Sequence, residues 1–176
     1  MASPFLTTVC VSEILPHGFR SYLLKEPSGN WPVSSHFILY WLTKYAEDIA
    51  ASDNITSPER YYASSATLVN PGKSTIHVAQ QIWNDSVSLY SNFESCDRTI
   101  ISTVLLSDDL AKKYTLNIEV MTVLRRSGDP SPVSLPQAFA YDIARAENNQ
   151  GTNGVQIWSV KCYFDKSLLC KLAAQG

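Results

Sequence analysis

Apolar residues recur along this chain in two rhythms, and the change between them falls near Phe93. Before it the spacing is helical. Ile38, Leu42, Tyr45 and Ile49 lie three or four residues apart, with Trp41 and Ala46 widening the stripe. This predicts an amphipathic helix that starts at a Ser34 or Ser35 cap and ends at Ala50 to Asn54. Ser57-Pro58-Glu59-Arg60 predicts a second, short helix, with Ser as cap and Pro in the first turn. Ala66 to Val69 reads as a brief strand, ended by the turn Asn70-Pro71-Gly72-Lys73. Ser74 or Thr75 then caps a third helix, whose stripe is Val78, Ile82, Leu89 and Phe93.

After Phe93 the texture changes. Arg98 to Leu106, Tyr114 to Arg125, Gln137 to Ala146 and Val155 to Phe164 are rich in β-branched and aromatic residues, and polar turns separate them. They predict four long antiparallel strands joined by hairpins. The third strand is apolar on both sides, with Phe139, Tyr141 and Ile143 on one and Ala138, Ala140 and Ala144 on the other. Such a strand is covered on both faces, so a second copy of the chain is expected on the side away from the helices, giving a homodimer. Asp165-Lys166-Ser167 opens a short terminal helix from Leu168 to Ala173. Helices first and strands afterwards is the α+β order. Helices packed on a curved, mainly antiparallel sheet leave a conical apolar cavity. Residues 1–33, punctuated by Pro16, Gly18, Pro27, Gly29 and Pro32, read as an N-terminal extension: a strand, an arm on a partner, or a flap. Residues 34–176 form the body.

Composition narrows the function classes. The chain has 176 residues, 45% of them hydrophobic and 17% charged, which excludes disorder, collagen and coiled coil. The net charge of −2 lacks the basic excess with which a nucleic-acid binder neutralises phosphates. The four cysteines, Cys10, Cys96, Cys162 and Cys170, show no zinc-ligand spacing with one another or with a histidine. There is no signal-peptide pattern at the start and no run of about 20 apolar residues to span a membrane. The expectation is a reduced, cytoplasmic protein. Gly-rich phosphate loop, nucleophile elbow and zinc-protease helix are all missing from the sequence, so no cofactor is expected.

Two segments carry a resemblance. Tyr61-Tyr62-Ala63-Ser64-Ser65-Ala66-Thr67-Leu68-Val69-Asn70-Pro71-Gly72, followed by a helix with Ile82-Trp83 and Leu89-Tyr90, resembles the NTF2-like, or SnoaL-like, superfamily. So does the ending Trp158-Ser159-Val160-Lys161-Cys162-Tyr163-Phe164-Asp165-Lys166-Ser167-Leu168-Leu169. The resemblance spans residues 35–173 and implies a cone-shaped α+β fold, frequently dimeric through its sheet. That superfamily includes ketosteroid isomerase, scytalone dehydratase, polyketide cyclases and fungal tailoring enzymes, and also non-catalytic adaptor and transport domains. Fold therefore leaves function to the cavity residues. Where the isomerase has its general-base Asp, this chain has Asn70, whose amide has no useful basicity. Asp142-Ile143-Ala144-Arg145 matches the place of the second isomerase carboxyl, and Tyr45 falls within one residue of its first-helix tyrosine. The dehydratase histidine pair has no clear match.

The candidate chemistry follows. Asp142 is an acid in an apolar strand; facing the cone, it would have a raised pKa and serve as acid or base, whereas facing out it would be solvated. His77, in the first turn of the third helix, titrates in the range that proton transfer needs, and the alternative is a surface histidine. Tyr45 is the expected donor to a developing oxyanion, although aromatic stripes of this kind more often pack a core. Asn70, Trp41, Tyr62, Trp83 and Glu119 complete the expected substrate-binding set; Glu119 is equally consistent with a solvated face. The resulting expectation is an enzyme moving protons on a hydrophobic polyketide or terpenoid intermediate, by isomerisation, cyclisation or dehydration. The alternative is a binding or interaction module whose cone is filled by Trp41, Trp83 and Trp158.

Overall fold

A computed structural model describes residues 11–14, 20–24, 37–50, 57–70, 74–91, 93–126, 131–165 and 167–168. Along the chain these form β1 (Val11–Ile14), β2 (Arg20–Leu24), α1 (Phe37–Ala50), a 3-10 turn (Pro58–Arg60), β3 (Tyr62–Val69), β4 (Ile76–His77) and α2 (Ala79–Ser91). Four long strands follow, β5 (Ser95–Asp108), β6 (Lys113–Arg125), β7 (Val133–Arg145) and β8 (Val155–Phe164). They build one open eight-stranded sheet in the order β1-β2-β5-β6-β7-β8-β3-β4. Every neighbouring pair is antiparallel except β3 and β8. The architecture is the expected α+β arrangement of two helices on a curved, mainly antiparallel sheet. Of the proposed extension, residues 11–14 and 20–24 are a hairpin that lengthens the sheet beside β5. The Asn70–Lys73 turn beyond Asn70 and the terminal helix beyond Leu168 lie outside the described residues.

Side chains alternate along each long strand, and that alternation sets the two faces of the sheet. Tyr114, Leu116, Ile118, Val120, Thr122 and Leu124 of β6 point inward and are buried. Leu135, Gln137, Tyr141 and Ile143 of β7 do the same. On the opposite side Ala138, Ala140 and Ala144 are half-buried and Asp142 is exposed. Two β-bulges interrupt the rhythm. Ile101 is the extra residue between Ile100 and Ser102, and Trp158 the extra residue between Ile157 and Ser159. A bulge bends its strand and inverts the side-chain parity beyond it. Trp158 is therefore 37% exposed rather than part of the core. Beyond it Lys161 and Tyr163 lie outside, and before it Ile157 is buried.

α1 presents Ile38, Trp41, Leu42, Tyr45 and Ile49 to the sheet, all 6% exposed or less. Its outer side carries the Lys44–Glu47 ion pair at 2.7 Å. The 3-10 turn has Ser57 at its N-cap position and buries Pro58. Its Ser57 hydroxyl bonds the Glu59 carboxylate rather than a helix N–H. Gln156, fully buried, joins three segments: Nε2 donates to the Glu59 carbonyl at 2.5 Å and Oε1 accepts from the Glu147 N–H at 2.9 Å.

The start of α2 departs from expectation. Ile76 and His77 pair with Leu68 and Thr67 as the two-residue strand β4, so the helix begins only at Ala79. The hinge is Val78. It takes a φ of +80°, its N–H donates to the Ala66 carbonyl at 3.2 Å, and its carbonyl accepts from the N–H groups of Gln81 and Ile82. Val78 is consequently 48% exposed instead of leading the buried stripe, which Ala79, Ile82 and Trp83 form. A β-branched residue at positive φ is strained by about 1–3 kcal/mol. Val78→Gly should relieve that strain with little packing loss. After the entropic cost of glycine, a net gain of about 1 kcal/mol is expected as a higher urea midpoint at unchanged m. A lower midpoint would show that the valine side chain contributes more than its backbone costs.

Candidate active site

The residues best placed for chemistry meet where α1 crosses β3, β7 and α2. Trp41, Tyr45 and Asp48 share one side of α1 at four- and three-residue spacing. Tyr61 and Tyr62 arrive from the end of the 3-10 turn and the start of β3. Trp83 comes from α2 and Tyr141 from β7. Their rings form a continuous contact set. Trp41 stacks on Tyr45 at 6.0 Å between centroids, and Tyr61 stacks on Trp83 at 6.1 Å. Tyr45 meets the edges or faces of Tyr61 at 5.3 Å, Tyr62 at 5.8 Å and Tyr141 at 6.3 Å. Edge-to-face pairs of this kind add about 0.5–1.5 kcal/mol each beyond area burial.

Polar atoms punctuate this apolar shell. The Tyr45 and Tyr62 hydroxyls hydrogen-bond to one another. Ser86 of α2 also bonds the Tyr62 hydroxyl. Trp41 Nε1 is buried and has no hydrogen-bond partner among the described residues. At the margin the Tyr61 hydroxyl donates to Asp48 Oδ2 at 2.7 Å, with Arg60 Nη1 3.7 Å from the same oxygen. Burial, reinforced by the Tyr45 hydroxyl, pushes the Tyr62 phenol well above its ordinary pKa. Burial and then Asp48 push Tyr61 upward too. These phenols are built to stay protonated, which makes them donors rather than bases.

Four of the expected site residues come together here: Tyr45, Trp41, Tyr62 and Trp83. Asn70 is buried at the end of β3. The other three expected residues lie elsewhere. Asp142 stands on the outer face of β7, exposed, where its Oδ1 accepts from the Thr115 hydroxyl at 3.3 Å. Strand alternation requires this: with Tyr141 and Ile143 inward, the residue between them points out. Glu119 is likewise outward and accepts from the Ser102 hydroxyl at 2.7 Å. His77 is exposed on β4 instead of sitting on a helix at the cavity mouth. Sequence reasoning also missed Tyr61, Asp48, Tyr141 and Ser86. The helical spacing of Trp41, Tyr45 and Asp48 was the available signal for Asp48. Placing Tyr61 needed β3 to begin at Tyr62, four residues before the expected Ala66.

No family model matches the chain, and no curated protein matches it. Solved structures do. A protein from Kribbella flavida is similar at 16% identity and a TM-score of 0.60, covering 76% of this chain and 94% of that one. A Streptomyces avermitilis protein of the NTF2-like family, assigned as a dehydratase, is similar at 11% identity and 0.56, covering 71% and 91%. The beta subunit of the benzoate 1,2-dioxygenase from Burkholderia mallei is similar at 14% identity and 0.55, covering 75% and 91%. The chain has the NTF2-like fold.

Raised phenol pKa values tie stability to alkaline pH. An unfolded tyrosine ionises near pH 10, while the buried Tyr62 keeps its proton. Tyr114, beside Phe37, is pushed by burial to about 12. Above the unfolded pKa the unfolded chain binds fewer protons than the native one, so stability falls with rising pH. Each such phenol contributes a slope of about 1.4 kcal/mol per pH unit until its folded pKa is reached. Urea titrations from pH 9 to 11.5 should show this decline, and Tyr62→Phe should make it shallower. A slope unchanged by Tyr62→Phe would mean that this phenol ionises in the native protein.

Proposed function

We propose that this chain is a cofactor-independent enzyme that polarises an oxygen on a hydrophobic small molecule and moves a proton, in an isomerisation, cyclisation or loss of water. The observation that carries this reading is the buried Tyr45–Tyr62 hydroxyl pair, with Trp41, whose N–H has no partner among the described residues, stacked on the Tyr45 ring. As a proton leaves carbon next to a carbonyl, negative charge gathers on the oxygen. Fixed donors aimed at that oxygen stabilise it, and water-poor surroundings strengthen each bond. The Tyr45 and Tyr62 hydroxyls, together with the Trp41 N–H, are the donors we assign to that oxygen. Asp48, held against Tyr61 at the edge of the ring cluster, is the carboxylate we assign to take up the proton. A flat, apolar, oxygen-bearing substrate suits such walls, and a polyketide or terpenoid intermediate of secondary metabolism has that chemistry. The dehydratase assignment of one fold neighbour supports the same class. No helix among the described residues is long and apolar enough to cross a membrane, which fits a cytoplasmic site of action.

The assembly reading rests on the outer face of the sheet. Ala138, Ala140 and Ala144 present small side chains there and allow close approach of a second copy. Light scattering at micromolar concentration should give the mass of a homodimer, as an interface of at least about 1,000 Å² would. A monomer would remove this part of the proposal.

A non-catalytic binding or interaction module is the competing reading. Trp41, Tyr61 and Trp83, at 0%, 0% and 3% exposure, fill interior space that a substrate needs, and one fold neighbour is a subunit of a dioxygenase. Turnover separates the two. A β,γ-unsaturated ketone can be followed by the absorbance of its conjugated isomer. The chain should accelerate this conversion over buffer. Tyr45→Phe should lower turnover about 10²-fold, the usual cost of losing one oxyanion donor. Asp48→Asn should lower it comparably, within the roughly 10²–10⁴-fold range of acid–base groups. Turnover untouched by both substitutions in folded protein would leave the module reading.

A further inference from the structure

Tyr61 and Tyr62 enter the ring cluster from the 3-10 turn. The path of that turn is fixed by β8 and by the connection that precedes it, residues 146–154. Three consecutive carbonyls of the turn accept from these segments. Glu59 accepts from the Gln156 side-chain amide at 2.5 Å, Arg60 from the Thr152 N–H at 2.9 Å, and Tyr61 from the Ile157 N–H at 2.7 Å. A further bond runs from the Ser64 N–H to Glu147 Oε2 at 2.8 Å. Of the donors to the three carbonyls, two are main-chain N–H groups, which nearly any sequence offers. The third is the amide of Gln156, which depends on that side chain.

Gln156 is fully buried, and its amide is satisfied at both ends, by the Glu59 carbonyl and by the Glu147 N–H at 2.9 Å. It ties two backbone segments together, and its loss would unpair a carbonyl on one and an N–H on the other. Gly151 closes over it. A Cβ there would lie 2.6 Å from the Val155 carbonyl oxygen, 2.8 Å from Ala146 Cβ and 2.9 Å from Gln156 Cγ, and the backbone has a φ of +81°. Space and left-handed backbone both demand glycine at this point. Two residues beyond Glu59, Tyr61 stacks on Trp83, meets Trp41 at 5.4 Å and Tyr45 at 5.3 Å, and donates to Asp48. A small turn of the main chain here swings a hydroxyl at the far end of a ring.

We propose that Gln156, with Gly151 packed against it, is a positioning residue of the candidate site: it sets the backbone at Glu59 so that the Tyr61 hydroxyl meets Asp48. The connection between β7 and β8 thereby governs how firmly that carboxylate is held. The bearing of this on catalysis rests on the proposed proton-accepting role of Asp48. Stability and turnover are therefore measured separately, so that the two readings can fail apart.

The experiment is a double-mutant cycle on the full chain, read by urea unfolding. In the wild type, Tyr61→Phe should raise the unfolding constant about tenfold, the effect of losing a hydrogen bond to a charged group. In Gln156→Leu, where the phenol no longer meets Asp48, the same substitution should change it less than about twofold. Gln156→Asn, too short to span both partners, should behave likewise and serves alone if Gln156→Leu does not fold. Gln156→Glu at pH 5, where burial keeps the carboxyl protonated, can still donate to Glu59 and accept from Glu147, and should keep the wild-type effect. An amide that only supports the fold would lower stability by an amount that adds to that of Tyr61→Phe. Additivity in either folded variant would overturn the proposal. Turnover of the β,γ-unsaturated ketone is the second readout. In Gln156→Leu, or in Gln156→Asn in its place, kcat should fall about tenfold with KM within about twofold, and no further when Asp48→Asn is already present. An unchanged kcat in that variant, in an enzyme that Asp48→Asn disables, would also overturn it. No turnover by the wild type would strike the catalytic reading and leave the unfolding cycle to decide this one.

Discussion

The hydrogen bond between Tyr45 and Tyr62 ties α1 to β3 inside a shell of rings, and the remaining architecture is organised around it. It is made out of water, where leaving a hydroxyl unpaired is costly. On the same side of α1, Trp41 stacks on the Tyr45 ring and Asp48 accepts from the Tyr61 hydroxyl. It also pins the start of β3, whose other edge is taken by β8. A polar contact in the middle of an aromatic core thus specifies one packing among the many that rings of similar size allow.

Much of the fold was legible because the elements are long and their periods strong. α1, the four long strands and the α+β order follow from spacing alone, and β8 has the predicted bounds of Val155–Phe164. What was lost lies at points where a single residue changes the rule. Val78 turns the backbone left-handed and converts the expected first turn of a helix into strand β4, taking His77 with it. The bulge at Trp158 moves a large ring from core to surface. Neither event has a glycine to announce it. Asp142 was misplaced for a different reason. It shares a face with Ala140 and Ala144, and with β7 apolar on both faces the pattern left open which face meets the helices; Tyr141 and Ile143 inward put Asp142 outside. Tyr45, Trp41, Tyr62 and Trp83 were found because helix and sheet both bury them, and burial is what sequence pattern reports best.

Shape and chemistry carry unequal information here. The NTF2-like fold is recovered at 11–16% identity, with neighbours as different as a protein assigned as a dehydratase and a dioxygenase beta subunit. Such a scaffold keeps its sheet and helices while the inward residues change. What distinguishes this chain is therefore the content of its interior: phenols held protonated, an indole N–H, and an amide, with few ionisable groups among them.

The parallel pairing of β3 with β8 carries a consequence for how the chain is made. Tyr62 lies beside Ile157 and Val69 beside Lys161, partners more than ninety positions apart. During synthesis β3 therefore emerges long before the strand that flanks it, while the hairpins of β5, β6 and β7 can zip up as they appear. Closing so large a loop is entropically slow, and topologies rich in such contacts fold slowly. Until β8 arrives, the edge of β3 and the rings of Tyr61 and Tyr62 are exposed to chance partners. Completion of the interior is thereby a late and concerted event on the ribosome, and the stretch of chain after β7 acts as its timer.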